Sequence, residues 1–158
     1  MEDGDLNMSG EDKLIVLYGT ETGNSELLSM DICKAAEDAG MEAEAFGMDE
    51  IESEDMLSYS RLLIVCSTWG DGEQPDSAMD LFEYAEELGD DALTNMSFSV
   101  LALGDTAFDL FCEAGKEWDR VLEEKGATRI AERIDCDVDY EDDAEEWIEE
   151  VVATLQEL

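Results

Sequence analysis

The chain has 158 residues, of which 45 are Asp or Glu, 8 are Lys or Arg and none is His, so its formal net charge is −37. Such a charge repels phosphate backbones and anionic lipid surfaces, which excludes sequence-independent binding to nucleic acid or to a membrane face. The absence of histidine excludes chemistry that uses imidazole as a base, a proton shuttle or a metal ligand.

Apolar residues make up 44% of the chain and are grouped in periodic segments. This grouping predicts one folded domain over residues 13–158, preceded by an acidic, frayed tail at residues 1–12. Continuous apolar runs predict most of the strands, and alternation of apolar and acidic residues predicts the second one. In chain order, the strands are expected at residues 13–18, 41–46, 62–67, 98–103 and 127–134.

Apolar residues at helical spacing predict helices between these strands. The first begins at Ser25 and stops at Gly40, the second begins at Pro75, and another covers residues 113–125. The buried stripe expected for the second helix consists of Met79, Phe82, Ala85 and Leu88. The apolar face expected for the closing helix consists of Trp147, Ile148, Val151, Val152 and Leu155.

Strands that are apolar on both faces and alternate with helices indicate an α/β protein with a parallel sheet covered on both sides. The size predicts a doubly wound five-stranded parallel sheet with strand order 2-1-3-4-5. Ligands of such sheets bind outside the carboxyl ends of the strands, where the first and third strands are neighbours. The informative loops should therefore follow Tyr18, Ser67 and Leu103.

The first of these loops, residues 20–25, joins a strand to a helix amino terminus. Its backbone amides and the helix dipole favour an anion, and its three hydroxyl groups add donors. It lacks the Lys of a Walker A loop and is not G-x-G-x-x-G, which disfavours triphosphate hydrolysis and dinucleotide binding. Two interpretations remain, a phosphate monoester held without a cation and an ordinary turn with capping hydroxyls.

The other two loops each contain an exposed aromatic candidate. Trp69 stands beside Gly70 and near Gly72, and Phe108 follows the fourth strand. Each ring can either pack over the sheet edge or cover a flat ligand. Two aromatics beside a phosphate site suit a planar heterocycle with a phosphorylated tail, and flavin mononucleotide (FMN) fits best.

In order along the chain, residues 20–25, 67–72 and 103–112 resemble the phosphate loop and the two ring-binding loops of short-chain flavodoxins. The resemblance covers residues 13–158 and extends to the FMN domains of diflavin reductases of the sulfite reductase flavoprotein type. It implies a flavodoxin-like fold with FMN as cofactor, and neither a catalytic residue nor a metal site is expected.

Carried over position by position, the resemblance places the phosphate on residues 20–25, the ribityl chain by Thr68, and the ring between Trp69 and Phe108. Many family members have Tyr where Phe108 stands, and Ser or Thr where Glu21 stands. The cofactor-binding residues it implies are Thr20, Glu21, Thr22, Gly23, Asn24, Ser25, Ser67, Thr68, Trp69, Gly70, Asp71, Gly72, Leu103, Gly104, Asp105, Phe108, Leu110, Phe111 and Cys112.

The function implied is a low-potential FMN-dependent electron carrier that is not itself an enzyme. The length leaves no room for FAD- and nicotinamide-binding modules, so a separate reductase and a separate acceptor are expected as redox partners. Both are expected to dock near the flavin edge. The protein itself is expected to be a cytoplasmic monomer. The alternative is an FMN-dependent quinone-type reductase with its own substrate. A flavin-free signalling receiver is disfavoured, because the first strand ends in Tyr18 and Gly19 rather than acidic residues.

Two further features concern the whole chain. The four cysteines are widely spaced without a C-x-x-C pair, which favours buried free thiols in a reducing compartment over a metal centre. The acidic residues are spread over helices and both termini, which exceeds what one docking face needs. This spread favours adaptation to high salt, with partner docking as an overlapping use of the same charges.

Overall fold

The structure, a computed structural model, describes residues 13–19, 23–68, 74–104, 112–137 and 139–157. The tail predicted at residues 1–12 lies outside the described residues. The strands in the described part of the chain are β1 (Leu14–Gly19), β2 (Ala43–Gly47), β3 (Arg61–Ser67), β4 (Ser97–Leu103), β5 (Thr128–Arg129) and β6 (Ile134–Cys136).

The predicted helices are present with small shifts at their ends. They are α1 (Asn24–Asp38), α2 (Asp76–Glu86), α3 (Glu113–Glu124) and α4 (Glu141–Gln156), and a short 3-10 helix (Ser53–Ser58) precedes β3. Gly40 follows α1 with φ of +91°, a conformation that glycine adopts without strain. Within the described residues, no helix combines the length and the apolar character needed to cross a membrane.

The strands form a parallel sheet in the order β2-β1-β3-β4, and both β5 and β6 pair with β4 beyond it. This order confirms the predicted 2-1-3-4-5 topology. β1 leads through α1 to β2 on one side, whereas β3 leads through α2 to β4 on the other. The direction of winding therefore reverses between β1 and β3.

Both faces of the sheet are buried. Leu62 and Ile64 of β3 pack with α2 and α3, whereas Leu63 and Val65 pack on the opposite face with α1 and α4. Each such side chain contributes about 1.5–3 kcal/mol when it is fully removed from water. The continuous apolar runs in the sequence follow from this two-sided burial.

The last predicted strand, at residues 127–134, was wrong as a single element. β5 ends at Arg129, and β6 begins at Ile134, so two short segments share the edge position beside β4. Between them, Arg133 turns toward Asp119 of α3 and donates a hydrogen bond of 3.0 Å to its carboxylate. The chain stays beside β4 in this gap, since the Ile130 N–H donates to the Phe98 carbonyl at 2.9 Å. The regular ladder is interrupted because the Ala131 carbonyl accepts from the Ser99 side chain at 2.9 Å.

The predicted buried stripe of α2 was also partly wrong. Met79 is 38% exposed, and Leu88 lies beyond the end of the helix and is only partly buried. Ala78 is buried instead, because α2 approaches β1 closely: a Cβ on Gly19 would lie 3.0 Å from the Ala78 Cβ. A methyl group fits this contact, and a methionine does not. Phe82 is buried as predicted and packs edge-on against Trp118 with ring centroids 5.1 Å apart.

Candidate functional site

Three strands end side by side at the carboxyl edge of the sheet. In the register of the parallel pairs, Gly19 lies opposite Cys66, and Ser67 lies opposite Leu103. The Thr68 N–H donates to the Leu103 carbonyl at 3.1 Å, which holds the ends of β3 and β4 together. The three loops of the predicted site therefore start from adjacent positions, at the point where the winding reverses.

The amino terminus of α1 is open to an anion. Gly23 precedes the helix with φ of +91° and ψ of −9°, and its carbonyl accepts the first intrahelical bond, from Leu27 N–H at 3.1 Å. The N-cap residue is thus a glycine, which has no side chain of its own to cap the helix. The first amides of a helix have no partner within it, so those of α1 are of the kind that can donate to a bound anion.

A pair of hydroxyl groups joins this helix end to β3. Ser25 is fully buried, and its Oγ lies 3.0 Å from the Oγ of Ser67 at the end of the strand. The pair shares one hydrogen bond but carries two hydroxyl hydrogens, so one donor is left for a third group. The backbone carbonyl of Ser25 accepts a bond from the Ser29 hydroxyl at 2.8 Å, which fixes the first turn.

The second loop is anchored on both sides to α3. Before it, the Thr68 Oγ1 accepts a hydrogen bond from the Ala114 N–H at 3.0 Å and so caps that helix. After it, Gln74 is buried, and its amide donates to the Ala114 carbonyl at 3.0 Å. The Gln74 Oε1 accepts from the indole N–H of Trp118 at 3.1 Å. The two ends of residues 69–73 are therefore held at the start of α3.

The third loop is anchored to β6. The Gly104 N–H donates to the Cys136 carbonyl at 2.9 Å, and the Cys112 thiol lies 3.6 Å from the same oxygen. Cys112 has φ of +56°, a left-handed conformation that is unusual for a residue with a side chain. Cys112 directly follows residues 105–111 in the chain, and backbone strain of this kind is typical of ligand-binding sites.

Burial and carboxylates keep the titratable groups around the site neutral. Burial, with Glu50 and Glu26 nearby, raises the pKa of Tyr18 to about 12, and its hydroxyl donates to Glu50 at 3.3 Å. Burial first, and then the charge of Asp135, raises the pKa of the Cys112 thiol to about 12. Neither group carries a charge at neutral pH.

The structure places eight of the predicted cofactor residues, and brings all of them to the carboxyl ends of β1, β3 and β4. They are Gly23, Asn24, Ser25, Ser67, Thr68, Leu103, Gly104 and Cys112. The remaining ones lie outside the described residues, and their roles stay predictions: Thr20, Glu21, Thr22, Trp69, Gly70, Asp71, Gly72, Asp105, Phe108, Leu110 and Phe111.

Sequence reasoning missed two residues that hold the loops. These residues are Gln74, which bonds to Ala114, and Cys136, which bonds to Gly104. Their partners are 40 and 32 residues away along the chain. The sequence contains only a weak indication of the role of Gln74. A polar Gln directly before Pro75 at a helix start, in a chain with few other amides, could have suggested a buried anchor.

The described part of the site fits the phosphate end of FMN. A helix amino terminus with a left-handed glycine, and a part-buried hydroxyl pair with one spare donor, could supply hydrogen bonds to phosphate oxygens. The first two turns of α1 contain neither Lys nor Arg, so the phosphate would be held by dipoles and hydroxyls. When bound, FMN supplies the electron chemistry, which side chains do not provide.

A doubly wound sheet with an anion site at its switch point defines a nucleotide- or phosphate-binding α/β protein. The family model described as Flavodoxin matches residues 16–150, so the chain belongs to the flavodoxin family. Its cofactor is FMN, and it is an FMN-binding electron-transfer protein. Both expectations drawn from the resemblance are confirmed.

Curated relatives are similar over nearly the whole chain. The sulfite reductase [NADPH] flavoprotein alpha-component of Bacillus subtilis is 41% identical over 145 residues, which are 92% of this chain and 24% of the relative. The corresponding protein of Vibrio cholerae is 34% identical over 154 residues, covering 98% of this chain and 25% of the relative. The chain thus spans about a quarter of the length of these relatives.

Solved flavodoxins superpose on the fold. The flavodoxin of Streptococcus pneumonia has a TM-score of 0.82 at 27% identity, covering 91% of this chain and 97% of its own. A cysteine-to-serine mutant of the Pseudomonas aeruginosa flavodoxin has a TM-score of 0.79 at 27% identity, covering 91% and 99% of the two chains.

Proposed function

We propose that this protein is a low-potential carrier that moves one electron at a time between a reductase and an acceptor that are separate proteins. The observation that carries the proposal is the register of β1, β3 and β4, which brings the flanks of all three flavodoxin-type loops to one edge. A cofactor held there lies at the surface of the sheet edge, where a partner protein can approach it.

The match to solved flavodoxins covers 97–99% of their own chains, so this chain contains the whole flavodoxin fold. A net charge of −37 supports the low potential, since adding an electron to a flavin inside this field is unfavourable.

The side chains of the site bind and orient rather than react. The α1 amides and the Ser25–Ser67 pair would hold the phosphate of FMN, and Thr68 and Gln74 bond to α3 on either side of the second loop. A rigid frame of this kind would keep the distance between the flavin and its redox partner constant from one electron transfer to the next.

A second candidate follows from the identity of 41% to a sulfite reductase flavoprotein. In that case the acceptor is a sulfite-reducing enzyme, and the chain delivers electrons to it as an FMN module. Binding to, and reduction of, such an enzyme distinguishes this candidate from a carrier for other acceptors.

Electron transfer can be tested with the FMN-loaded protein, an NADPH-dependent FAD reductase and cytochrome c as acceptor. We expect cytochrome c reduction to need both proteins and to rise in proportion to the FMN-loaded chain. The chain alone should oxidise no NADPH in the presence of a quinone. Rapid NADPH–quinone turnover by the chain alone would instead identify the quinone-type reductase and reject the carrier.

A further inference from the structure

A groove of about 850 Å³ lies between α1 and α4, on the face of the sheet opposite α2 and α3. Its lining comes from residues 27–35 of α1 and residues 140–149 of α4. Its floor is apolar and includes Leu28, Ala144 and Ile148, which also belong to the core of this face. The groove is therefore formed by the fold itself and not by a loop.

Two large apolar side chains beside this floor are exposed. Leu27 is 60% exposed and Met30 is 58% exposed, and both line the groove from α1. Exposed leucine and methionine next to a concave apolar floor form a continuous apolar surface rather than isolated residues. Such a surface is stabilised when an apolar partner covers it.

The rim of the groove is acidic. Glu141, Glu145 and Glu149 of α4 line it at intervals of four residues, and Asp31 lines it from α1. Among the described residues that line the groove, none is Lys or Arg. Like charges four residues apart on a helix repel each other, so a row of cations along α4 would relieve this repulsion.

The groove lies toward the ends of the two helices that are near the cofactor loops. Most of its lining comes from the amino-terminal halves of both helices, and these halves follow the carboxyl ends of β1 and β6. The opposite ends of the two helices are joined, since the Gln156 amide donates to the Ala39 carbonyl at 3.0 Å. An occupant of the groove would therefore sit on the cofactor side of the molecule.

Charge decides between possible occupants. The chain's own residues 1–12 contain five acidic residues and no Lys or Arg, and a second copy would bring another acidic rim against this one. Both are repelled. A helix with leucine-type residues on one side and Lys or Arg on the other satisfies the floor and the rim together.

We propose that the groove between α1 and α4 is the docking site for a cationic amphipathic helix of an electron-transfer partner. The assignment to an electron-transfer partner rests on the proposed function. The binding of a cationic amphipathic helix does not, because it depends only on the apolar floor and the acidic rim.

The probe is an 18-residue peptide with Leu at helical spacing and Lys at the other positions, titrated into the FMN-loaded protein by calorimetry. A scrambled peptide of the same composition is its control. We expect the amphipathic peptide to bind at least tenfold more tightly than the scrambled one. In NMR spectra of the protein, we expect the backbone amide signals that shift on binding to belong to α1 and α4. Equal binding of both peptides would overturn the proposal, because charge alone would then explain it.

Matched variants separate the groove from the rest of the surface. Leu27→Ser removes an exposed leucine of the groove, and Leu57→Ser removes one that is 48% exposed on the 3-10 helix. We expect the peptide dissociation constant to rise about tenfold for Leu27→Ser and less than twofold for Leu57→Ser. The same contrast applies to Met30→Ser and Met79→Ser. Equal effects within either pair would overturn the proposal.

The acidic rim is tested in the same way. The double variant Glu145→Gln and Glu149→Gln should weaken peptide binding and reduce its dependence on salt. The double variant Glu83→Gln and Glu87→Gln, with the same spacing at the end of α2, should do neither. Tighter peptide binding after deletion of residues 1–12, or a dimer that Leu27→Ser dissociates, would assign the groove to the tail or to a second copy instead.

The two proposals can fail separately. If cytochrome c reduction proceeds but the peptide does not bind, the groove proposal is wrong and the carrier function stands. If the peptide binds as expected but no electron transfer occurs, the carrier function is wrong and the groove remains a site for cationic helices.

Discussion

Gly23 and Gly40 share the same backbone φ angle but lie at opposite ends of α1. Both have φ of +91°, and a Cβ on either would meet nothing within 4 Å. Gly23 precedes α1 at the predicted phosphate site, whereas Gly40 follows the other end of the same helix. Glycine is needed at both positions for its backbone freedom and not for space.

This pair gives a controlled test of the phosphate site. Gly23→Ala and Gly40→Ala should each lower the free energy of unfolding of the FMN-free protein by about 1 kcal/mol, through the same backbone strain. Only Gly23→Ala should weaken FMN binding, by about tenfold, because it alone disturbs the amides at the start of α1. Fluorescence titration with FMN measures this, and equal affinities of the two variants would contradict the placement of the phosphate.

Buried thiols and Tyr18 make the fold sensitive to alkali. Burial, with Glu37 and Glu44 nearby, raises the pKa of Cys33 to about 11, and burial with Asp143 nearby raises that of Cys136 to about 12. The ordinary pKa of a thiol is 9.0, so the folded state holds these protons more tightly than the unfolded state. Their contribution to stability is complete below pH 9 and is lost as pH rises toward 12.

We therefore expect the urea midpoint of unfolding to be constant from pH 7 to pH 8.5 and to fall steadily above pH 9. A Cys136→Ala variant should show a shallower fall, because one of the tightly held protons is gone. A midpoint that does not change up to pH 11 would show that these groups titrate alike in both states.

The sequence predicted the phosphate loop but not the anchors of the second loop. Residues 20–25 could be proposed as a phosphate loop because the amides and hydroxyls of such a loop are neighbours in the chain, and their role stays a prediction. Gln74 could not, because its bonds go to Ala114 and Trp118. Ala114 and Trp118 are four residues apart on α3, but no local sequence pattern connects them with Gln74, which lies at least 40 positions earlier.

Among the elements, the central strands were easier to predict than the edge strand of the sheet or the side of α2 that is buried. β1, β3 and β4 are buried on both faces, so their apolar runs are unambiguous. The edge position beside β4 is divided because a side-chain bond, from the Ser99 hydroxyl to the Ala131 carbonyl, interrupts the backbone ladder between β5 and β6. The phase of α2 depends on a close contact between Ala78 and Gly19, which helical periodicity alone does not contain.

The packing of α3 on β4 has its own requirement for glycine. A Cβ on Gly115 would lie 2.2 Å from the Cβ of Ala102 and 3.0 Å from its Cα, so α3 would have to move away from the sheet. Such overpacking costs about 1–3 kcal/mol. Because α3 also holds Thr68 and Gln74, its displacement reaches the second loop.

Gly115→Ala should lower the free energy of unfolding by about 1–3 kcal/mol and should also weaken FMN binding. Gly89→Ala is the control, since a Cβ there would meet nothing within 4 Å. It should change neither quantity. Urea unfolding and FMN titration of both variants provide the test, and a fully stable Gly115→Ala protein would mean that α3 does not sit this close to β4.

For the whole molecule, the balance of charges sets the response to salt. Arg129 and Arg133 both bind the buried carboxylate of Asp119, with shortest N–O distances of 2.9 and 3.0 Å. This cluster uses two of the 8 cations of the chain and joins α3 to the edge of the sheet. The remaining cations are too few to neutralise the other acidic residues, so repulsion between carboxylates dominates.

The melting temperature should therefore rise with salt. The Debye length falls from roughly 30 Å at 0.01 M to about 3 Å at 1 M, which screens the many exposed carboxylates more than the partly buried Asp119 cluster. NaCl and KCl should act equally if screening is the cause. A melting temperature that is unchanged between these concentrations would contradict the proposed adaptation to high salt.

The measurement that tests the account most directly is a fluorescence titration of the purified wild-type chain with FMN. A flavin ring enclosed by the loops after β3 and β4, with its phosphate at the start of α1, should lose its fluorescence on binding. We expect quenching that saturates at one FMN per chain and weakens in Gly23→Ala but not in Gly40→Ala. Fluorescence that stays at the level of free FMN throughout the titration would contradict the account.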